Sequence, residues 1–465
     1  MAQILNYVYV AAAVVFLFGA AVFVHEFGHY WMARRRGLKV DAFAIGFGPK
    51  ILGWTRDGIE YSWRLIPAGG YVKLPQMVTS EAIEGPNETS ETIPPASPWS
   101  KILVAFSGPF MNAVFAFAIA TFIYFAGLPV PVNPSIIGYV APDSEEAKLG
   151  IRPGDQVVAV DGQPATTWQD VFSISALART NVLAVTIERE GIARVYQLTT
   201  KTDNSLGLKM LNLDSQEHPV IGKVEPSRPA AAAGLKTGDK FVAFAGITIA
   251  SHEQLMELIN KRAGQPSEVV VERNGRRLSV TLTPIMDTQL KRGRIGIRFA
   301  NTPLQYRLQK PGPLPWDSIA EVWNRTVATV NAIIHSKQTG VSAGDLSGPV
   351  GILAMLGSQV NTDYRLALNF MVLLNVSLAI LNLLPLPVLD GGHILISIIE
   401  AIRRRPMNIK VLEYTTTAFA VLLISFMLYV SFNDLKRWDL FASMFKRPTQ
   451  IETTTPAPSP APSQP

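Results

Sequence analysis

The run ILNYVYVAAAVVFLFGAAVFV (Ile4–Val24) carries no charge and leads directly into His25-Glu26-Phe27-Gly28-His29. A helix needs ~20 apolar residues to cross ~30 Å of hydrocarbon, so the run reads as a membrane span. No Lys or Arg precedes it and no small-residue cleavage site follows it, so it is expected to be retained rather than removed as a leader. On a helix, positions i and i+4 share a face, which brings both imidazoles to one metal and sets Glu26 beside them to take a proton from water. With six histidines and 20 glutamates in 465 residues, a chance His-Glu-x-x-His is expected about 0.003 times per chain. Three ionisable groups at a span end are costly there, which points to function.

Working outward, 48% of residues are hydrophobic, 17% are charged, and the mean hydropathy is +0.21. That composition excludes a disordered or coiled-coil chain. It is too apolar for an ordinary soluble enzyme and too polar for a chain that is all membrane. The absence of cysteine removes disulfides and thiolate ligands, leaving His, Asp and Glu to hold any metal. The net charge of +6 is mild and gives no basis for a nucleic-acid partner.

Three further apolar stretches reach span length: Ile102–Val130, Leu366–Leu389 and Thr415–Phe432. Arg34, Arg35, Arg36 and Lys39 follow the first span, and Arg403, Arg404, Arg405 and Lys410 follow the third. Four spans put both clusters on one side, which the positive-inside rule makes the cytoplasm. Both termini and residues 133–365 are then expected outside. The spans are dissimilar and show no inverted repeat, which argues against a transporter.

The outer segment holds a repeat. Gly150-Ile-Arg-Pro-Gly154-Asp155 and Gly234-Leu-Lys-Thr-Gly238-Asp239 recur at an offset of 84 residues. Each is followed by an apolar strand, a glycine turn, a helix (Trp168–Leu177, His252–Ile259) and a closing strand (Val182–Arg189, Glu268–Arg273). So long a period suits two tandem small domains rather than a solenoid; taken alone, each Gly-Asp reads as a turn. The pattern resembles circularly permuted PDZ domains, a class that captures chain ends or extended peptides by strand addition.

A catalytic zinc takes three protein ligands and leaves one position for water. Residues 30–37 offer neither His nor Glu, so the third ligand must be distant. Asp390 is preferred, in Asn382-Leu-Leu-Pro385-Leu-Pro387-Val-Leu-Asp390-Gly391-Gly392-His393. A carboxylate closing an apolar span is costly unless used. Pro385 and Pro387 break the helix, which is tolerable at membrane depth only where protein or a watery cavity satisfies the backbone. His393 competes as ligand, and a hydrated helix end is the plain alternative. Asp390 and the histidine pair both fall at cytoplasmic span ends, a coincidence the topology reaches independently.

Together, His25-Glu26-x-x-His29, Gly46-Phe47-Gly48-Pro49, Ser107-Gly108-Pro109-x-x-Asn112, the two repeats and Leu389-Asp390-Gly391 resemble the site-two-type intramembrane metalloproteases, over nearly the whole chain up to its tail. The resemblance implies one zinc (Zn2+) per chain held by His25, His29 and Asp390, with Glu26 as general base. It implies a substrate-strand role for the hairpin around Ile66-Pro-Ala-Gly69-Gly70-Tyr71-Val72, read as two strands about a Gly-Gly turn. Gly70, Tyr71 and Val72 would then lie along the substrate, with Asn382 on its backbone. A plain hairpin, and a structural bond within the bundle, are the alternatives. Ser107, Gly108, Pro109 and Asn112 read as close packing and a kink rather than chemistry. Ser377 departs from the asparagine common in that family. The implied activity is hydrolysis of peptide bonds within transmembrane segments in the bacterial inner membrane. Its implied duty is the second cut of a membrane-held anti-sigma factor in the envelope stress response. Remnant signal peptides or another membrane regulator are alternative substrates, and an inert membrane-anchored PDZ peptide-binding scaffold is the alternative of another class.

The expected fold is a multi-pass α-helical membrane protein of about four spans, with a small cytoplasmic β element and two tandem PDZ-like α/β domains. Span one with its HExxH covers 1–36, the hairpin region 37–98, span two 99–132, and the PDZ-like domains 133–205 and 216–286. A connecting region, 287–364, contains an amphipathic helix on Pro315–Ser336 with Trp316, Ile319, Val322, Trp323, Val327, Val330 and Ile334 on one face. Span three covers 365–392, a cytoplasmic loop 393–414, span four 415–434, and a periplasmic, disordered Pro-rich tail 435–465.

Overall fold

Among the described residues, four helices are long and apolar enough to cross a membrane: Ile4–Arg35, Pro98–Ala126, Tyr364–Asn382 and Lys410–Lys436. The computed structural model describes residues 2–77, 94, 96–202, 208–287, 292–300, 304–339, 341, 344, 346–405, 407–445 and 449–452. The chain divides into two units. One comprises Met1–Pro129, Leu308–Ala328 and Ala343–Phe445; the other comprises Val130–Arg307, Thr329–Ser342 and Lys446–Pro465.

The described helices of the first unit are α1 (Ala2–Arg35), α2 (Pro98–Ala126), α3 (Pro315–Ile334, of which the residues from Thr329 fall in the second unit), α4 (Pro349–Thr362), α5 (Tyr364–Asn382), α6 (Asp390–Arg403), α7 (Ile409–Lys436) and α8 (Trp438–Phe445). Helix α2 is central, since α1, α5 and α6 all pack on it. Ala21, Ala116 and Ala120 are buried among Ile123, Leu356 and Met371, small residues that let helices approach where lipid offers no hydrophobic drive. Helix α3 buries Val322 and leaves Trp316, Trp323, Val327, Val330 and Ile334 exposed, so the seven residues read as one face do not share one environment.

Three expected boundaries are corrected. Span three does not run to 392: α5 ends at Asn382, and after Pro385 and Pro387, which lack N–H groups, a new helix begins at Asp390. Most of the expected loop 393–414 is therefore helical, in α6 and the start of α7. The stretch 435–465 contains helix α8 and the strand Thr449–Glu452, which runs parallel to Leu304–Gln309. Trp438 and Phe441 give α8 an apolar face that the composition of the last residues concealed. Residues 453–465 of the expected tail lie outside the described residues.

The β element is present, but its turn is elsewhere. β1 (Ala42–Arg56) and β2 (Ile59–Lys73) meet at Asp57-Gly58, both left-handed (φ 52° and 75°), the geometry of a two-residue hairpin turn. Gly69-Gly70, read above as the turn, lies inside β2. Residues 42–45 pair on one side with 60–63 and on the other with 70–73. Ile51, Leu52, Trp54, Trp63 and Leu65 are exposed on this hairpin, a surface ill suited to the aqueous cytoplasm.

The second unit contains the two repeats. Strands order as Gln163–Pro164, Gln156–Val160, Val182–Arg189, Ile192–Thr202 and Lys209–Leu211 in the first, and as Ile247–Thr248, Lys240–Phe244, Ser267–Arg273 and Arg276–Leu282 in the second. The longer helices are Trp168–Leu177 and His252–Lys261, and each repeat also has a one-turn helix, Glu145–Lys148 or Pro229–Ala232. Both repeats run past their expected ends at 205 and 286. Lys209–Leu211 extends the first sheet, and Ile297–Phe299 pairs with Ile221–Val224. The Gly-Asp residues are more than turns. Asp155 takes Arg189 Nε and Nη2 at 2.5 and 2.6 Å, and Asp239 takes Arg273 at 2.6 and 2.7 Å. In each copy the same Arg also donates to the carbonyl of Gly150 or Gly234.

One half-buried carboxylate makes this unit sensitive to pH. Burial pushes the Asp214 carboxyl up to about 7, with Glu253, Glu217 and Glu257 adding to the rise, although Ser251 donates to it. The unfolded value is ~3.9, so between pH ~4 and ~7 the unfolded chain releases this proton first and stability falls as pH rises. Asp214→Asn should flatten that slope. Hydrogen exchange of residues 137–215 in the full-length protein should show stabilisation on the order of 2–4 kcal/mol at pH 8 and little change at pH 3.5. An unaltered slope would mean that Asp214 is ionised in the folded state.

Candidate metal centre

His25, Glu26 and His29 lie well inside α1, which continues to Arg35 rather than ending at the span. Asp390 is the first residue of α6, where unpaired N–H groups and the helix dipole favour a carboxylate. Gly391 and Gly392 hold it there, because a Cβ on either would collide with the carbonyls of Leu383, Leu384 or Leu386. At the far end of α6, Glu400 accepts from Lys101 Nζ of α2 at 2.9 Å and from the Met407 amide at 3.0 Å. The helix that carries Asp390 is thus pinned to α2.

Three atoms converge. His25 Nε2 is 3.3 Å from Asp390 Oδ2, His29 Nε2 is 3.3 Å from Asp390 Oδ1, and the two Nε2 atoms are 3.3 Å apart. Tetrahedral ligands at 2.0–2.1 Å from zinc stand ~3.3 Å apart, so the donor set and its spacing fit that ion. Among the described residues this is the His/Asp/Glu group able to hold a metal, and it takes in Asp390 rather than His393. Gly108 of α2 supplies the floor: a Cβ there would overlap His29 Nε2 and lie 2.5 Å from its Cε1 and 2.9 Å from His25 Cε1.

Glu26 is buried and lies against β2, since a Cβ on Gly70 would come within 2.8 Å of its Cγ. A cavity of about 280 Å3 is lined by His25, Glu26, His29 and Asp390 together with Gly70, Tyr71, Val72, Asn382 and His393. All eight sequence-predicted site residues therefore meet at one cavity. The sequence reading missed the partners of the imidazoles: His29 Nδ1 is 2.8 Å from the Val104 carbonyl, and His25 Nδ1 is 3.3 Å from the Asn112 amide. The Ser107-Gly108-Pro109-x-x-Asn112 motif was the available signal, but its partners lie some 80 residues away in sequence. Ser377, the departure from the family pattern, faces Thr326 Oγ1 at 3.1 Å and is remote from the metal donors in its bonding.

Two imidazoles and a carboxylate around a metal-sized gap, a glutamate beside them, and helices of membrane length define a membrane metalloprotease. The sequence matches Peptidase family M50 over residues 13–426, and the chain belongs to that family. It is 31% identical over 451 residues to the Vibrio cholerae protein named "Putative zinc metalloprotease", covering 91% of this chain and 98% of that one. It is 30% identical over 460 residues to the Escherichia coli "Regulator of sigma-E protease RseP", covering 93% and 100%. Among solved structures, the PDZ domain of an SdrC-like protein from Listeria monocytogenes matches 17% of this chain and 85% of its own length, at 18% identity and a TM-score of 0.16. The protein is thus a membrane metalloprotease whose second unit carries two repeated α/β domains.

Proposed function

We propose that this protein hydrolyses peptide bonds within the transmembrane segments of membrane proteins, holding one zinc ion per chain on His25, His29 and Asp390. The observation that supports this most directly is the convergence of those donors and Glu26 on helices of membrane length. Zinc there supplies Lewis-acid polarisation of the scissile carbonyl and brings the pKa of a water toward ~7. Glu26 takes the proton of the attacking water and delivers it to the leaving amine. A helical substrate hides its carbonyls in hydrogen bonds, so it is opened first. Gly70, Tyr71 and Val72 then hold it as an added strand, and the Asn382 side chain bonds its backbone.

The arginine clusters support a zinc site near the cytoplasmic face of the inner membrane and a periplasmic location for the PDZ-like domains. Those domains select substrates already shortened outside, or dock a new chain end. The name of the Escherichia coli relative supports the second cut of an anti-sigma factor as the duty. The test is incubation of the purified, zinc-loaded protein in detergent with two single-span substrates lacking outer domains, one an anti-sigma segment and one a signal-peptide remnant. Cleavage inside the span, abolished by chelator and restored by zinc, is expected for the first. Preference for the remnant would reassign the duty, and no cleavage of either would favour the scaffold. Deleting residues 133–299 should widen substrate choice while sparing an already trimmed substrate; loss of that cleavage would refute selection as their role.

A further inference from the structure

Both metal-site histidines are tethered through the ring nitrogen that faces away from Asp390. The partner of His29 Nδ1 is the Val104 carbonyl. A carbonyl only accepts, so Nδ1 carries the proton and Nε2 presents its lone pair. The partner of His25 Nδ1 is the side-chain amide of Asn112, 1% exposed on α2, one turn beyond Gly108. With its NH2 toward the ring, Asn112 would force the His25 proton onto Nε2, the atom that faces Asp390 and His29. In that orientation Asn112 Oδ1 is also buried without a hydrogen-bond partner. Half a turn about the terminal torsion changes both. Oδ1 then accepts the His25 Nδ1–H, and Nε2 is released, with almost no change in shape.

We infer that Asn112 is a positioning residue of the metal site, accepting the Nδ1–H of His25 so that Nε2 is held as a lone-pair donor beside His29 and Asp390. The inference rests on the zinc reading above and deepens it. Metal-binding histidines are commonly oriented this way by a carbonyl or carboxylate. Here a backbone carbonyl serves one ring and a side-chain amide serves the other, both from α2. The same helix therefore sets the distance of the rings, through Gly108, and their tautomers. A purely structural asparagine joining α1 to α2 would act on folding and leave metal affinity alone.

The test uses the full-length protein in detergent, with zinc affinity read by competition against a fluorescent chelator and ligand geometry read from the visible spectrum after Co2+ substitution. Asn112→Leu, which removes the acceptor, should weaken zinc by about 10–100-fold and alter the Co2+ spectrum. Asn112→Asp keeps the oxygen and loses the NH2, and should bind zinc within a few-fold of wild type. Wild-type affinity in Asn112→Leu overturns the inference. So does an Asn112→Asp protein that has lost zinc, and this second variant decides the matter by itself if the leucine variant does not fold. A wild-type chain that takes up no zinc would instead refute the zinc reading, and this inference with it.

Discussion

Glu26→Gln is expected to bind zinc as wild type does and to lose about 10^2–10^4-fold in the rate of peptide hydrolysis, the usual contribution of a positioned general base. Glutamine matches glutamate in size and keeps a polar end, but it cannot take a proton at neutral pH. Glu26 is not among the three converging donors, so the metal should be untouched. Its position is also well determined, because it is buried and packed against Gly70 of β2. Cleavage of a single-span peptide followed by mass spectrometry, with zinc content measured on the same samples, checks both halves. Cleavage at the wild-type rate would remove Glu26 from the mechanism. Equal inactivity of zinc-loaded wild type and variant would turn attention to the scaffold reading.

The parts of this centre that could be read in the sequence are those whose physics is local. His25 and His29 share a helix face because four residues make about one turn. Asp390 stood out because a carboxylate beside two prolines at membrane depth has few structural uses. The repeat announced two domains because its offset persists from Gly150 to the arginines at 189 and 273, which meet Asp155 and Asp239 in the same way.

What was misread depends on distant partners. The Gly69-Gly70 pair looks like a turn in isolation, but Gly70 is required by its close approach to Glu26 and to the Ala44 carbonyl, while the chain reverses at Asp57-Gly58. The break at Pro385 and Pro387 was legible, but the span was carried on to 392 because nothing local shows that a separate helix starts at Asp390. The ends of both repeats were placed short because their last strands, Lys209–Leu211 and Ile297–Phe299, are too brief to show periodicity. Asn112 carries no local sign that an imidazole 87 positions earlier is its partner.

Gly108→Ala is the second change expected to have a large effect, and it separates metal binding from folding. In a helix interior, alanine is favoured over glycine by about 1 kcal/mol, so propensity alone would stabilise α2. At this position the added Cβ would stand 2.5 Å from His29 Cε1 and 2.9 Å from His25 Cε1, far inside ordinary contact. Either the rings swing away or α1 moves off α2, and a metal site tolerates displacements of only ~0.2 Å in its ligand distances. Zinc affinity should fall by at least about 100-fold, with hydrolysis lost alongside it. Gly19→Ala is the matched control, because a Cβ there meets nothing within 4 Å; it should leave zinc binding and cleavage at wild-type levels. Chelator competition and helix content by circular dichroism, measured on both variants, give the decisive comparison. A folded Gly108→Ala protein that still binds zinc tightly would show that the imidazoles can find the metal without the floor α2 gives them. A folded protein that has lost zinc would place the origin of the site in the close approach of α1 and α2.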